Sequence, residues 1–258
     1  MKGGTKFSMH VNNIETKISP LGDSAIRIQF GTEISPTINE NIRNFALLLK
    51  QKMIRGVIEW IPTYTSVTVL YDPFIISYTR LVEMIENLYS RIEKVELSAA
   101  EVFIIPTYYG GEAGPDIETV ANYNGLDVEE VIRIHSETEY LIYMMGFTPG
   151  FPYLGGMSQR IATPRQETPR KRINPGTVGI AGEQTGIYSM ETPGGWQLIG
   201  RTPLRLYDEK RESPMLLQAG NYLKFVPISQ MEYDAIHKEV EKGIFKAEKQ
   251  IHKSNELN

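Results

Sequence analysis

The stretch whose reading decides the fold opens with GFTPGFPYLGG at residues 146–156 and closes with TPGGWQLIGRTP at 192–203. Between these runs lie Pro164-Arg165 and Thr168-Pro169-Arg170-Lys171-Arg172. Each glycine relaxes backbone limits and each proline fixes φ. So many of both, interleaved with aromatics and arginines, exclude a helix. They predict a β-rich, tightly turned surface, and a stretch so devoted to backbone shape is a candidate site.

Outward from it the texture agrees. From Tyr140 short β-like runs are divided by Gly and Pro: Tyr140–Met145, Thr177–Ala181, Trp196–Ile199, Leu204–Tyr207 and Tyr222–Val226. That cadence predicts an all-β barrel or sandwich over 140–228. Ser229 and Glu232 then form a capping box, and Tyr233, Ile236 and Val240 continue a helix face into a charged tail, 229–258.

The N-terminal half reads differently. Residues 1–13 are polar and expected to be flexible. Ala25, Ile26, Ile28 and Phe30 predict a strand. Ser35-Pro36 starts a helix that carries Ile38, Ile42, Phe45 and Leu49. Val57–Ile61 and Val67–Tyr71 predict two strands. Leu81, Ile85, Leu88 and Ile92 predict a second helix, and Glu101–Ile105 another strand. The order β-α-β-β-α-β predicts a ferredoxin-like layer over 14–107 and an α+β chain as a whole. A Gly-rich corner and helical connection fill 108–139, where Asp116 and Asp127 are expected to cap short helices.

Composition excludes several classes. The chain has 258 residues, 41% of them hydrophobic, enough to bury a core. A net charge of −4 with interspersed basic residues gives no electrostatic case for nucleic acid. There are no cysteines, which removes disulfides and thiolate chemistry. No apolar run of about 18 residues exists to span a membrane. The first residues lack a signal-like apolar region, so the expected location is the cytoplasm. No phosphate-binding glycine loop, H-E-x-x-H or G-x-S-x-G motif occurs. With four histidines, mostly near the ends, no metal site is expected.

The candidate residues have open readings. His135 could act as a base, but its place on an apolar helix face with Val128, Val131 and Ile132 points to a hydrogen-bonded core histidine. Arg170 and Arg172, two apart on an extended segment, project on one side. They could hold a carboxylate or phosphate, or belong to an ion-pair network. Gly182–Gly186 is either a ligand-orienting turn or a plain hairpin. Phe147, Phe151, Tyr153, Tyr188 and Trp196 either line a pocket or fill the core.

At these residues the chain resembles the KipI-type proteins, a family that includes the B subunit of 5-oxoprolinase and is also called allophanate hydrolase subunit 1. The matching segments are GDSAIRIQFG, YYGGEAGPD, GFTPGFPYLGG, TPRQETPRKR, GTVGIAGEQTGIY and TPGGWQLIGRTPLRLYD, spanning about residues 16–228. One departure is Ile173-Asn174-Pro175-Gly176, where the family pattern carries its proline one position away.

The resemblance implies a small α/β N-terminal domain followed by a cyclophilin-like β-barrel. It implies a non-autonomous component of an ATP-dependent hydrolase that opens 5-oxo-L-proline to L-glutamate, inactive alone, with the C and A subunits of 5-oxoprolinase as partners. It also implies an alternative, inhibition of a sporulation sensor histidine kinase. ATP is then used by the complex, through no loop visible in this chain.

On that reading the site lies on the barrel. Arg165, Arg170 and Arg201 are the expected cationic donors to a carboxylate or phosphorylated intermediate. Gln184, Thr185 and Gln197 are expected to meet a planar amide, with Trp196 packed beneath. Phe147, Pro149, Phe151 and Tyr153 are expected as aromatic and proline anchors for a ligand or a protein interface. None of these is assigned as nucleophile or base.

Overall fold

The computed structural model describes residues 7–11, 14–92 and 99–253. It divides into two compact units, 1–98 and 99–258.

In the first unit, strands β1 (Phe7–Val11), β2 (Ile14–Pro20) and β3 (Ala25–Gln29) precede helix α1 (Pro36–Lys52). Strands β4 (Val57–Pro62) and β5 (Ser66–Tyr71) and helix α2 (Tyr78–Tyr89) follow. The sheet order is β1-β2-β3-β5-β4, with every neighbour antiparallel. Both helices start as the sequence dictates. The Ser35 hydroxyl accepts from Ile38 N at 3.2 Å and that of Ser77 from Arg80 N at 3.3 Å. Their apolar stripes cover one face of the sheet, so Phe45, Leu49, Leu81 and Ile85 pack with Ile26, Ile28, Val67 and Val69 in one buried cluster.

The split pattern β3-α1-β4, with β5 between, is the ferredoxin-like arrangement expected. Two particulars differ. Residues 7–11, expected to be flexible, form β1 against β2. The strand at 101–105, assigned to this layer, lies in the other unit, so the division follows residue 98 rather than 107. The edge beside β3 that it would have filled is taken by β2.

The second unit begins with β6 (Glu101–Tyr109) and helices α3 (Ile117–Asn124) and α4 (Val128–Glu137). Strands β7 (Glu139–Met145), β8 (Pro152–Gly155), β9 (Arg170–Ile173), β10 (Thr177–Ala181) and β11 (Gln184–Ile187) come next. Then follow β12 (Thr192–Gly194), β13 (Gln197–Arg201), β14 (Tyr222–Pro227), α5 (Gln230–Glu241) and β15 (Lys249–Ile251). The main sheet runs β11-β10-β13-β6-β14-β7-β8. Its end strands β8 and β11 lie against each other, which nearly closes a barrel. Ile105, Val178, Ile180, Ile187, Ile199 and Phe225 fill its interior. β9 and β12 form a separate antiparallel pair.

The barrel therefore starts at β6, not at residue 140. Leu204–Tyr207 forms no strand; Leu204 and Leu206 are buried from a loop tied by the bridge Tyr207↔Met215. The capping box of α5 is present, with Ser229 N donating to Glu232 Oε2 at 2.7 Å. The tail beyond α5 is not merely a charged extension, because β15 pairs antiparallel with the first part of β6.

Candidate functional site

The loop between β7 and β8 is closed by backbone bonds, Gly146 N to Phe151 O at 3.1 Å and Phe151 N to Thr148 O at 3.1 Å. It returns Phe151 to the interior and leaves Phe147 outside, 68% exposed at φ 63°. A bulky side chain in the left-handed region is uncommon and is held there only by its surroundings. Phe151 is the hub of a cluster. Its ring meets those of Phe147, Tyr153, Tyr188 and Trp196 at centroid distances of 5.6, 5.3, 6.2 and 6.0 Å, all edge to face. That geometry is the one ring quadrupoles favour.

The cluster floors a cavity of about 310 Å³ whose wall also includes Arg165, Pro169 and Gln184. Gly194 is required beside it. A Cβ there would lie 2.2 Å from the Tyr188 phenol oxygen and 2.9 Å from Ile173 Cδ1. The aromatic ring thus packs directly on backbone. Burial raises the Tyr188 phenol pKa, against a backbone bond at Trp196 and the charges of Arg165 and Arg170.

Of the expected site residues, Arg165, Gln184, Trp196, Phe147, Phe151 and Tyr153 meet at this cavity. Pro149 is exposed on the same loop and is not in the cavity wall. Others lie elsewhere. Arg170 is spent on an internal pair, its Nη2 donating to Asp116 Oδ1 at 2.7 Å. Arg172 pairs with Glu191 at 2.6 Å at the surface, so the two do not form one clamp. The displaced proline of 173–176 leaves β9 intact; its turn is closed by the Thr177 hydroxyl donating to Asn174 O at 2.8 Å, and Gly176 N donates to Tyr188 O at 2.7 Å. Gln197 is buried and its Nε2 donates to Pro164 O at 2.9 Å. Arg201 faces a second cavity, with its Nε donating to Pro175 O at 3.2 Å.

Gln184 and Thr185 stand on β11 rather than in a turn. The hairpin loop is only Gly182-Glu183, since Ala181 pairs with Gln184. Thr185 points inward. Its hydroxyl lies 3.1 Å from Gly179 O and 2.8 Å from His135 Nε2. A carbonyl only accepts, so Thr185 donates to Gly179 and accepts from His135 Nε2–H. Nδ1 is then the acceptor for the Tyr109 phenol at 2.7 Å. Burial without a charged partner lowers the His135 pKa to about 3. His135 is a neutral core histidine and no general base.

Asp116 is the residue whose local sequence context misleads. The position before α3 suggests a cap, yet its side chain makes no capping bond. Its Oδ2 accepts from Leu198 N at 2.6 Å, while Oδ1 accepts from Gln166 Nε2 at 3.1 Å and from Arg170. This works because Gly114 lets the corner lie on β13, where a Cβ would sit 2.0 Å from Ile199 O. Asp116 thereby ties the arginine segment to the strand that follows Trp196.

Residues 16–217 match the family described as carboxyltransferase domain, subdomain C and D. The chain belongs to this family. A relative in Bacillus subtilis, named as the B subunit of 5-oxoprolinase, is 46% identical over 237 residues, covering 88% of this chain and 98% of that protein. Its namesake in Escherichia coli O157:H7 is 37% identical, covering 80% of this chain and 94% of that protein. The solved structure of TTHA0988 superposes with a TM-score of 0.72 at 33% identity. It covers 80% of this chain, which spans 40% of that longer one. The Kluyveromyces lactis urea amidolyase, at 20% identity, shares the fold with a TM-score of 0.76 over 93% of this chain and 16% of its own.

Within this family member, the aromatic cavity offers an apolar floor of aromatic rings, one guanidinium and one amide. Arg165 is exposed and has no carboxylate partner among the described residues. Such a wall can bind and orient a small planar anion, and it contains no nucleophile–base pair. Among the described residues no group of three His, Asp or Glu is placed to hold a metal ion, and no helix is long and apolar enough to cross a membrane.

Proposed function

We propose that this chain is the B subunit of a 5-oxoprolinase that opens 5-oxo-L-proline to L-glutamate with ATP, and that it is inactive without the C and A subunits. The observation that carries this reading is the 46% identity that extends over 98% of a protein named as that B subunit. The aromatic cavity supports it. Its volume of about 310 Å³ suits a five-membered lactam acid, and ligand pockets start at roughly 300 Å³. The Arg165 guanidinium would take the carboxylate, Gln184 the ring amide, and the Phe151–Trp196 floor the flat ring face. A lactam resists hydrolysis and requires activation, for which ATP serves as a substrate of the complex. This chain has no nucleotide loop, so nucleotide chemistry falls to a partner.

The test is reconstitution. The purified chain should give no 5-oxoproline-dependent ATP hydrolysis, and addition of the A and C subunits should create it. Turnover by the chain alone, or none in the assembled complex, would refute the reading. Gln184→Ala in the assembled complex should lower kcat/KM about 10-fold or more, the loss of a hydrogen bond worth roughly 1.5 kcal/mol. A second reading, inhibition of a sensor histidine kinase, draws on Phe147, whose exposed ring at the cavity rim suits a protein interface. Unchanged kinase autophosphorylation at stoichiometric protein would dismiss it.

A further inference from the structure

We propose that the barrel unit carries a second ligand site, a cavity between the end of β13 and helix α5 that takes a small organic carboxylate with a flat apolar body. It has a volume of about 410 Å³, larger than the aromatic cavity, and shares none of its lining residues. It is independent of the reading given for that cavity.

The lining divides into two kinds of surface. Met190, Leu204 and the rings of Tyr207 and Tyr233 supply the apolar and aromatic part. Arg201 and Arg205 supply the charge. Arg201 is braced, because its Nε donates to Pro175 O at 3.2 Å, which leaves both terminal nitrogens of the guanidinium for another acceptor. Neither arginine has a carboxylate partner among the described residues. The carboxylate in the wall, Glu191, is taken by Arg172 at 2.6 Å. Two guanidinium groups thus line one apolar cavity, and an anion bound there would be met by both.

His237 adds a third contact. It lines the same cavity, its Nε2 lies 3.6 Å from Glu241 Oε1, and its Nδ1 is buried with no hydrogen-bond partner among the described residues. A buried polar atom without a partner is the exception in folded proteins and asks for one. Tyr233 stacks on His237 with centroids 5.9 Å apart at 17°, so the ring is held in place.

The chemistry selects among anions. A guanidinium binds carboxylate and phosphate in the same forked geometry. A phosphate dianion is strongly hydrated, and an apolar wall would strip that hydration without replacing it. A monocarboxylate presents one charged end to the arginines and lays its body on Tyr207 and Tyr233.

The experiment is NMR titration of the ¹⁵N-labelled full chain with sodium benzoate and, separately, inorganic phosphate. Benzoate should shift the amides of 201–207 and 230–237, saturably. Arg201→Met and Arg205→Met should each weaken it at least tenfold, and Trp196→Ala should leave its affinity unchanged. Arg205 is exposed and, among the described residues, bonds to others only through its backbone carbonyl, so Arg205→Met is expected to keep the fold. Benzoate shifts confined to the Trp196 cavity, equal affinity in both arginine variants and the parent, or phosphate binding as tightly as benzoate would overturn the proposal.

Discussion

The closed polar network behind the barrel wall and the open aromatic cavity in front of it draw on the same short segment, yet they treat its charges in opposite ways. Behind the wall, Arg170 and Gln166 both bond Asp116, which also accepts from Leu198 N. His135 likewise has both ring nitrogens bonded. In front, Arg165 meets the cavity without a carboxylate partner among the described residues. Saturated groups hold the backbone, whereas Arg165 is the charge proposed above to meet a ligand. Residue type does not separate the two classes, since arginine occurs in both.

The comparison breaks first at Asp116 if it is wrong. Removing this carboxylate leaves a guanidinium and a buried N–H without their acceptor. The Arg170 side chain is 30% exposed and that of Asp116 10%, so water offsets part of the loss. Asp116→Ala should destabilise the protein by about 3 kcal/mol, the lower end for breaking a buried pair. Denaturant titration reads this as a lower midpoint. Asp116→Asn, which keeps an acceptor for Leu198 N, should lose less. A midpoint within about 0.5 kcal/mol of the parent for Asp116→Ala would show that the network is ornament.

The second test is the pH dependence carried by His135. Its folded pKa of about 3 lies below the ordinary value of 6.5. Between these values the unfolded chain takes up a proton that the folded one does not. The contribution is therefore fully present above pH 6.5 and is lost as pH falls toward 3. The slope from this one group approaches about 1.4 kcal/mol per pH unit, or roughly 2 kcal/mol between about pH 6.5 and 5. His135→Gln should flatten the stability curve over that interval. An unchanged slope would mean that His135 is open to water and protonated in the folded state.

The two halves of this comparison are not equally legible in the sequence. Helices are, because their signals are local: Ser35-Pro36 before an apolar stripe, and Ser229 with Glu232. The aromatic cavity is largely legible too, since Gly-Pro spacing with Phe151, Tyr188 and Trp196 lies within one continuous stretch. The closed network is not. Asp116 follows a proline just before a helix, which satisfies a local capping rule, whereas its true partners are 54 and 82 positions away. Local pattern puts strand β6 in the wrong layer for the same reason. It pairs in parallel with β14, Val102 opposite Tyr222, and nothing near it in sequence announces that partner. Strands of three or four residues such as β12, β9 and β15 carry too few alternations to be read without knowing what they pair with.

The smallest expected change in stability is at Arg165, and it is the sharpest test of the distinction between spent and unspent charge. Arg165 is exposed, directly precedes Gln166 and makes no ion pair among the described residues. Arg165→Ala should therefore shift stability by less than about 0.5 kcal/mol, the ordinary range for a surface position. If the cavity binds the substrate carboxylate, the same change should lower kcat/KM of the reconstituted complex about 10- to 150-fold, the span of a charge-assisted contact worth roughly 1.5–3 kcal/mol. Arg165→Lys keeps the charge but not the forked geometry, so it should recover part of the loss and not all of it. Arg172→Ala serves as the control. It breaks only a surface pair, with side chains 70% and 49% exposed, and should change neither stability nor turnover appreciably. Equal turnover in Arg165→Ala and Arg172→Ala would make Arg165 one more solvated cation. Equal loss in both would mean that the outer face as a whole docks a partner, and that the segment acts through assembly and not through the substrate.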